Sequence, residues 1–138
     1  TERGYQGALV AQLHHRLLLS NDAIVEQEDQ KQAGQHGLTI RPDIIVHEPF
    51  DPARHQARTE GNVAVIELKL RATAADALSD FRSLQSILEV LRYPLGVFVN
   101  IDAAVTHAGS IPADLHGRIV CFAVMLVRGV PKIIERRV

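Results

Sequence analysis

Two carboxylates and a lysine lie at positions from which they can act together on one substrate. Glu67 and Lys69 are separated by one residue in the run NVAVIELKLR, and Asp43 follows a proline in the earlier run RPDIIV. Both runs are rich in β-branched residues, which predicts strands. Side chains alternate between the two faces of a strand, so Val65, Glu67 and Lys69 share one face. Because charged side chains are seldom buried without a partner, these two charges either reach solvent or belong to a functional site.

Asp43 can approach Glu67, because two strands joined by a hairpin are neighbours in a sheet. Two carboxylates that meet repel each other, so the pKa of one should rise unless a cation lies between them. Mg²⁺ takes oxygen ligands, typically one or two carboxylates plus waters, and Mn²⁺ suits the same donors. Lys69 is placed to hold a water or a phosphate, or to stabilise negative charge in a transition state. These are the groups that metal-assisted phosphodiester hydrolysis requires.

Hydrophobic periodicity predicts the elements that position these residues. Apolar residues at spacings of three and four predict helices over 5–19 and 76–92. A chain of 138 residues has the length of one domain, so we expect a single α/β domain over residues 1–138. A long polar loop over 48–61 joins the second and third strands. The predicted strands are 23–27, 39–47, 62–71 and 95–101, followed by a C-terminal β-hairpin of 119–127 and 131–136.

The order and spacing of the charged residues carry a resemblance to a known family. Pro42-Asp43, followed after 23 residues by Glu67-Leu68-Lys69, resembles the PD-(D/E)xK signature of the restriction-endonuclease-like nuclease superfamily. The resemblance implies an αβββαβ core, with a central mixed sheet flanked by helices. It also implies that Mg²⁺ or Mn²⁺ is bound by Asp43, Glu67 and the main-chain carbonyl of Leu68, while Lys69 assists the attacking water. The predicted catalytic residues are therefore Asp43, Glu67 and Lys69.

Further polar residues are candidates for auxiliary roles and for contact with nucleic acid. Many members of the superfamily add an acidic residue from the first helix, where this chain offers Gln6 and Gln12, with Glu2 just before the helix. Glu26 on the first strand is another candidate. Some members place a glutamine on the helix after the lysine, and Gln85 fits that position. In the polar loop, the candidates for contact with phosphates are Arg54, His55 and Arg58.

Composition narrows the classes of function. The chain has 15 Lys and Arg against 16 Asp and Glu, so any contact with nucleic acid must be local or must use metal ions. No apolar run approaches the length of a transmembrane helix, and no secretory signal is visible at the N-terminus. The single cysteine, Cys121, excludes an internal disulfide and a Cys-based zinc site. We therefore expect a cytoplasmic protein without a membrane partner.

Two functions from different classes are compatible with these residues. The first is a Mg²⁺-dependent phosphodiester hydrolase, an endonuclease-like enzyme that prefers DNA to RNA. A homodimer is expected for such an enzyme, because cutting both strands needs two sites. The second is a catalytically silent nucleic-acid-binding or assembly module that retains the nuclease fold. For the residues themselves, the simpler alternative is a surface pair of Glu67 and Lys69, with Asp43 in a turn after Pro42.

Overall fold

A six-stranded mixed sheet with a helix on each face makes up the part of the protein that the structure describes. The computed structural model describes residues 1–16, 23–27, 42–57 and 59–138. The predicted helix end at 17–19, the predicted strand start at 39–41 and Arg58 lie outside these residues. The helices are α1 (Glu2–Arg16) and α2 (Ala74–Leu91), and the strands are β1 (Ile24–Gln27), β2 (Ile44–His47), β3 (Asn62–Leu70), β4 (Leu95–Ile101), β5 (Ile119–Val127) and β6 (Val130–Arg137).

The strands lie in the sheet in the order of the chain, from β1 to β6. β1, β2 and β3 are antiparallel neighbours, β3, β4 and β5 are parallel, and β6 returns antiparallel to β5. The predicted α/β class is confirmed, and the elements within the described residues follow the predicted order. Three element starts differ from the prediction by more than one residue: α1 begins at Glu2 rather than at residue 5, and the starts of β2 and α2 also differ. β2 begins only at Ile44, after Pro42, which has no N–H to donate to a ladder, and α2 begins at Ala74 because Thr73 and Asp76 form a capping box.

The face of the sheet beneath α2 holds the larger apolar core. The rings of Phe81 on α2 and Phe98 on β4 pack edge to face, with centroids 5.2 Å apart. The connection between β4 and β5 adds two short 3₁₀ turns, Ala108–Ser110 and Ala113–Leu115, whose apolar residues close this core. Val65 belongs to it, so the neighbouring Glu67 on the same face is drawn beneath the helix. The charged end of the β3 face therefore lies at the margin of a core.

The opposite face is covered in part by α1, which contributes Val10 to a second core with β1 to β4. Because both faces of β3 and β4 are covered, their sequences read as nearly continuous apolar runs. Cys121 is buried, and its burial raises the pKa of the thiol to about 12. Within the described ranges, no helix combines the length and the apolar character that a membrane span needs.

Candidate functional site

The C-terminal end of β3 extends beyond the neighbouring strand, and carboxylates bind its amides there. The ladder between β2 and β3 ends at Ile66, whereas β3 continues to Leu70. The N–H of Leu68 donates to Asp43 Oδ2 at 2.8 Å, and the N–H of Leu70 donates to Glu2 Oε2 at 3.1 Å. A main-chain amide without a partner is unfavourable when buried, so the two carboxylates replace the missing strand. The structure thereby brings Asp43 and Glu2 to the same edge.

Asp43 is held from two sides. Its carboxylate accepts from the β3 amide, and its main-chain carbonyl accepts a hydrogen bond of 2.9 Å from Gln6 Nε2 on α1. Gln6 is only 3% exposed, so this bond is formed inside the protein. Of the residues predicted on the first helix, Glu2 reaches the site and lies within α1 rather than before it, whereas Gln12 lies on the exposed side of α1. Asp43 is therefore fixed in position by contacts with both α1 and β3.

Glu67 lies beside Asp43 and is buried, with 7% of its surface exposed. Burial raises the pKa of Glu67 well above its ordinary value, and the nearby charge of Asp43 and a side-chain hydrogen bond with Asp43 raise it further. Glu67 thus keeps its proton to higher pH than an exposed glutamate, and the protonated carboxyl can donate to Asp43. The sequence predicts a raised pKa from the carboxylate pair alone, whereas the structure adds burial as the larger cause.

Lys69 and two aspartates of α2 complete the charged cluster. The ammonium of Lys69 lowers the pKa of Glu67 and opposes the rise at Asp80, so it lies within the electrostatic field of both acids. Burial raises the pKa of Asp80 to about 6, and the charges of Asp43, Glu2 and Asp76 add to that rise. Asp80 Oδ2 is buried and finds no hydrogen-bond partner among the described residues. A buried acceptor of this kind is typical of a site that takes a ligand or an ion.

Sequence reasoning missed Asp76 and Asp80, although a signal for them exists. They are four residues apart, so they lie on one face of α2. Each immediately precedes a buried residue, Ala77 or Phe81, so both border the stripe that packs on the sheet. Because α2 follows β3 after a short connection, its first turns pass over the end of the strand that carries Lys69.

The connection between β3 and α2 is fixed by a buried asparagine that sequence reasoning also missed. Asn100 of β4 is fully buried, and its Oδ1 accepts from the N–H of Ala72 at 2.8 Å. Its Nδ2 donates to the carbonyl of Val105, also at 2.8 Å. Ala72 adjoins Thr73, the N-cap of α2. Asn100 therefore helps to determine where α2, and with it Asp80, sits over the end of β3.

The other auxiliary candidates contact groups away from this cluster. Gln85 Nε2 donates to Asp114 Oδ2 at 2.6 Å and to Glu89 Oε1 at 3.2 Å, so its amide is turned toward the connection between β4 and β5. The carboxylate of Glu26 lies 3.3 Å from Nε2 of His47, toward the far end of β2.

Arg54 and His55 lie near the opposite end of the β2–β3 hairpin. Both contact Glu48 Oε1, at 2.8 Å and 3.2 Å. The N–H of Asp51 donates to His55 Nδ1, so the proton of neutral His55 sits on Nε2, which faces Glu48. The strand ladder separates this loop from the carboxylate cluster, since Asn62 opens β3 and Lys69 lies near its end. The third candidate of this loop, Arg58, lies outside the described residues.

The donor set fits a hard divalent cation. Asp43 and Glu67 supply two adjacent carboxylates, and Asp80 Oδ2 is a buried acceptor without a partner in the described chain. An extended residue directs its N–H and C=O to the same side, so the carbonyl of Leu68 faces the edge where its N–H meets Asp43. Within the described ranges, no three or more His, Cys, Asp or Glu side chains form a ready cage for a metal. Two carboxylates and a carbonyl suit Mg²⁺, which keeps several waters.

Comparisons of the chain with protein-family models, with curated proteins and with solved structures find no match. The site is therefore interpreted from its own geometry.

Proposed function

We propose that the protein is a Mg²⁺- or Mn²⁺-dependent phosphodiester hydrolase that acts on DNA. The observation that carries the proposal is the buried Glu67 beside the half-buried Asp43 at the unpaired end of β3, with Lys69 on the same face as Glu67. Holding two carboxylates side by side, one of them buried, is unfavourable without a cation or a shared proton. A site that binds a cation during its function gives a physical reason for this arrangement.

The order of elements supports the same proposal. In the part of the chain that the structure describes, the first six elements run α-β-β-β-α-β, and the sheet is mixed with a helix on each face. This arrangement resembles the core of the restriction-endonuclease-like superfamily, to which the PD…ExK residues point. The fold by itself does not decide between an active enzyme and a silent relative, so the residues of the site have to distinguish the two.

Each residue has a distinct role in the proposed reaction. Asp43, Glu67 and the carbonyl of Leu68 would hold the cation. When bound, a divalent cation supplies charge stabilisation at a phosphate oxygen and a more acidic water. Lys69 donates hydrogen bonds to a phosphate oxygen or to the attacking water. The ionised carboxylates of Asp43 and Glu67 cannot take this role, because an ionised carboxylate only accepts hydrogen bonds. Asp80 Oδ2 is the buried acceptor that can take a proton from that water.

Cleavage of supercoiled plasmid DNA tests the proposal. Wild-type protein should nick the plasmid in Mg²⁺ or Mn²⁺ and should be inactive in EDTA. Lys69→Ala should lose activity by about a hundredfold or more, the usual effect of removing a group that stabilises transition-state charge. Arg82→Ala is the matched control, because it removes a cation from the solvent side of α2 and should change little.

Two results would contradict the proposal in different ways. Equal activity of wild type and Lys69→Ala, after contaminant controls, would remove the catalytic role of Lys69. Binding of DNA without cleavage of any DNA or RNA substrate would assign the chain to the silent module instead. We also propose a homodimer for double-strand cleavage, and light scattering that shows a strict monomer on DNA would count against it.

A further inference from the structure

The positive charge of the chain is concentrated in its last two strands. Residues 118–138 contain five of the 15 Lys and Arg but only one of the 16 Asp and Glu. The rest of the chain is therefore acidic, and the near-zero total charge conceals a basic C-terminal segment. That single acid, Glu135, is bonded to Arg137 at 2.8 Å. Two of these five charges, Arg128 and Lys132, lie toward the tip of the β5–β6 hairpin, and the other three lie at its base. The cationic tip is the part that a polyanion can meet.

The tip of the β5–β6 hairpin projects beyond the sheet. Pairing of β5 with β4 ends at Val124, whereas pairing with β6 continues to Val127 and Val130. Residues 125–132, here called the hairpin arm, therefore extend by three residue pairs and a turn, or about 10 Å. The arm is exposed, with Leu126 at 70% and Val130 at 63% of their full exposure. It combines uncovered apolar side chains with Arg128 and Lys132.

The turn of the arm carries an arginine that its backbone does not favour. Arg128 has φ of 51° and Gly129 has φ of 75°, which is the pattern of a type I′ turn. Asn or Gly is preferred at the first of these positions, because most side chains are strained at positive φ. Arg92 has a similar φ of 59° at the end of α2, so the backbone conformation alone does not assign a contact to Arg128. The exposed position of Arg128 at the tip of the arm places its charge where a partner can meet it.

The arm leaves the sheet at the edge that carries the carboxylate cluster. Leu70, Ile101 and Val124 are aligned across β3, β4 and β5, so the three strands reach this edge together. β3 and β5 are two strand spacings apart, so the tip of the arm lies about 15 Å from the end of β3. The major groove of B-DNA is about 12 Å wide and admits a two-stranded β-ribbon. One duplex can therefore meet the cluster and the arm at the same time.

We propose that the hairpin arm enters the major groove of the DNA duplex whose backbone lies at the carboxylate cluster. This inference rests on the proposed function, from which it takes the DNA. Arg128 and Lys132 supply contacts to phosphates or to guanine, and Val127 and Val130, which are paired on one face of the ribbon, supply apolar contacts to thymine methyl groups. The major groove of A-form RNA is too deep and narrow for such a ribbon, so duplex DNA is the partner.

Binding of a fluorescent DNA duplex, measured by anisotropy in the Lys69→Ala background with Mn²⁺, tests the arm without cleavage. Arg128→Asn should weaken binding about tenfold and reduce the slope of log K against log salt by about one. Asparagine is favoured in this turn, so the variant should melt no lower than its parent. Arg92→Asn is the matched control, since Arg92 is also exposed, has φ of 59° and follows α2 at the opposite edge. It should bind as its parent does.

The outcomes separate the arm from the hydrolase. Equal affinity of Arg128→Asn and Arg92→Asn for DNA would contradict the proposal that the arm binds the duplex. Tighter binding of the protein to duplex RNA or to anionic lipid vesicles would contradict it as well. If Arg128→Asn, with wild-type Lys69, still cleaves DNA as the wild type does, the hydrolase proposal stands and the proposed role of the arm fails. If the protein binds DNA through the arm but cleaves no substrate, the proposed role of the arm stands and the hydrolase proposal fails.

Discussion

Replacing Asp80 by asparagine should stabilise the metal-free protein at alkaline pH. The pKa of Asp80 is raised to about 6 from 3.8, chiefly by burial. Below the lower value, Asp80 is protonated in both the folded and the unfolded chain, and it makes no difference to stability. Between the two values, the folded protein binds more protons than the unfolded chain, so the free energy of unfolding falls as pH rises. Above about pH 6 the free energy of unfolding falls no further on account of Asp80. Asparagine does not ionise, so the variant does not lose this stability.

The size of the effect follows from the two pKa values. Each pH unit between them corresponds to about 1.4 kcal/mol, so complete conversion would give about 3 kcal/mol. Asp80 is only partly buried, and solvent screens its interactions. We therefore expect Asp80→Asn to raise the free energy of unfolding by about 1–1.5 kcal/mol at about pH 8. For a chain of this length, that is an increase in Tm of about 3–6 °C.

Thermal melts in EDTA across the pH range measure this difference. The gain should vanish well below pH 3.8, where Asp80 is protonated in both the folded and the unfolded chain. Asp114→Asn is the control, since it makes the same change at an exposed carboxylate that accepts from Gln85. A gain that did not depend on pH, or a loss of stability in alkaline solution, would refute the assignment of a destabilising buried charge to Asp80.

Three further predictions concern the neighbours of Asp80. Glu67→Gln should melt higher than wild type in EDTA at alkaline pH, but it should lose the metal-dependent rise in Tm. For wild type this rise is about 3–6 °C when the metal concentration is roughly ten times Kd. An undiminished rise in the variant would contradict a ligand role for Glu67. Because the pKa of Glu67 is raised, metal uptake should release a proton and should strengthen as pH increases. Calorimetry in buffers of different ionisation enthalpy checks this, and a buffer-independent heat would contradict it. Asn100→Ala should lower the free energy of unfolding by about 2–4 kcal/mol, because the N–H of Ala72 and the C=O of Val105 both lose their partner. Urea denaturation measures this difference. A loss below about 1 kcal/mol would show that water replaces the side chain.

Elements defined by strong periodicity could be predicted from the sequence. The boundaries of β4 and β5 coincide with the prediction, because both are nearly continuous apolar runs that end at turn residues. The start of β2 could not be predicted, because it depends on where β3 stops being paired. Only the register shows that the amides of Leu68 and Leu70 pass beyond β2 and require the carboxylates of Asp43 and Glu2.

Some residues of the candidate site could likewise be predicted from the sequence, and others could not. The sequence places Glu67 and Lys69 on one face, because alternation along a strand is a local property. Asp80 and Asn100 come from elements that cross the end of β3, so their proximity depends on packing between distant segments. The sequence makes Arg54 and His55 candidates for contact with phosphates, and the structure shows both bound to Glu48, at the opposite end of β3 from the carboxylate cluster.

The bonds from the β3 amides to carboxylates make those amides spectroscopic reporters of the site. The amide proton of Leu68 is held by Asp43 Oδ2, and that of Leu70 by Glu2 Oε2. The chemical shift of an amide proton depends on its acceptor, so each resonance in a ¹⁵N–¹H spectrum should report a change at one named carboxylate. Titration with Mn²⁺ would broaden the Leu68 signal through paramagnetic relaxation. Titration with Mg²⁺ would instead displace it, so the occupancy of the site can be followed from the main chain, without any substitution in the cluster.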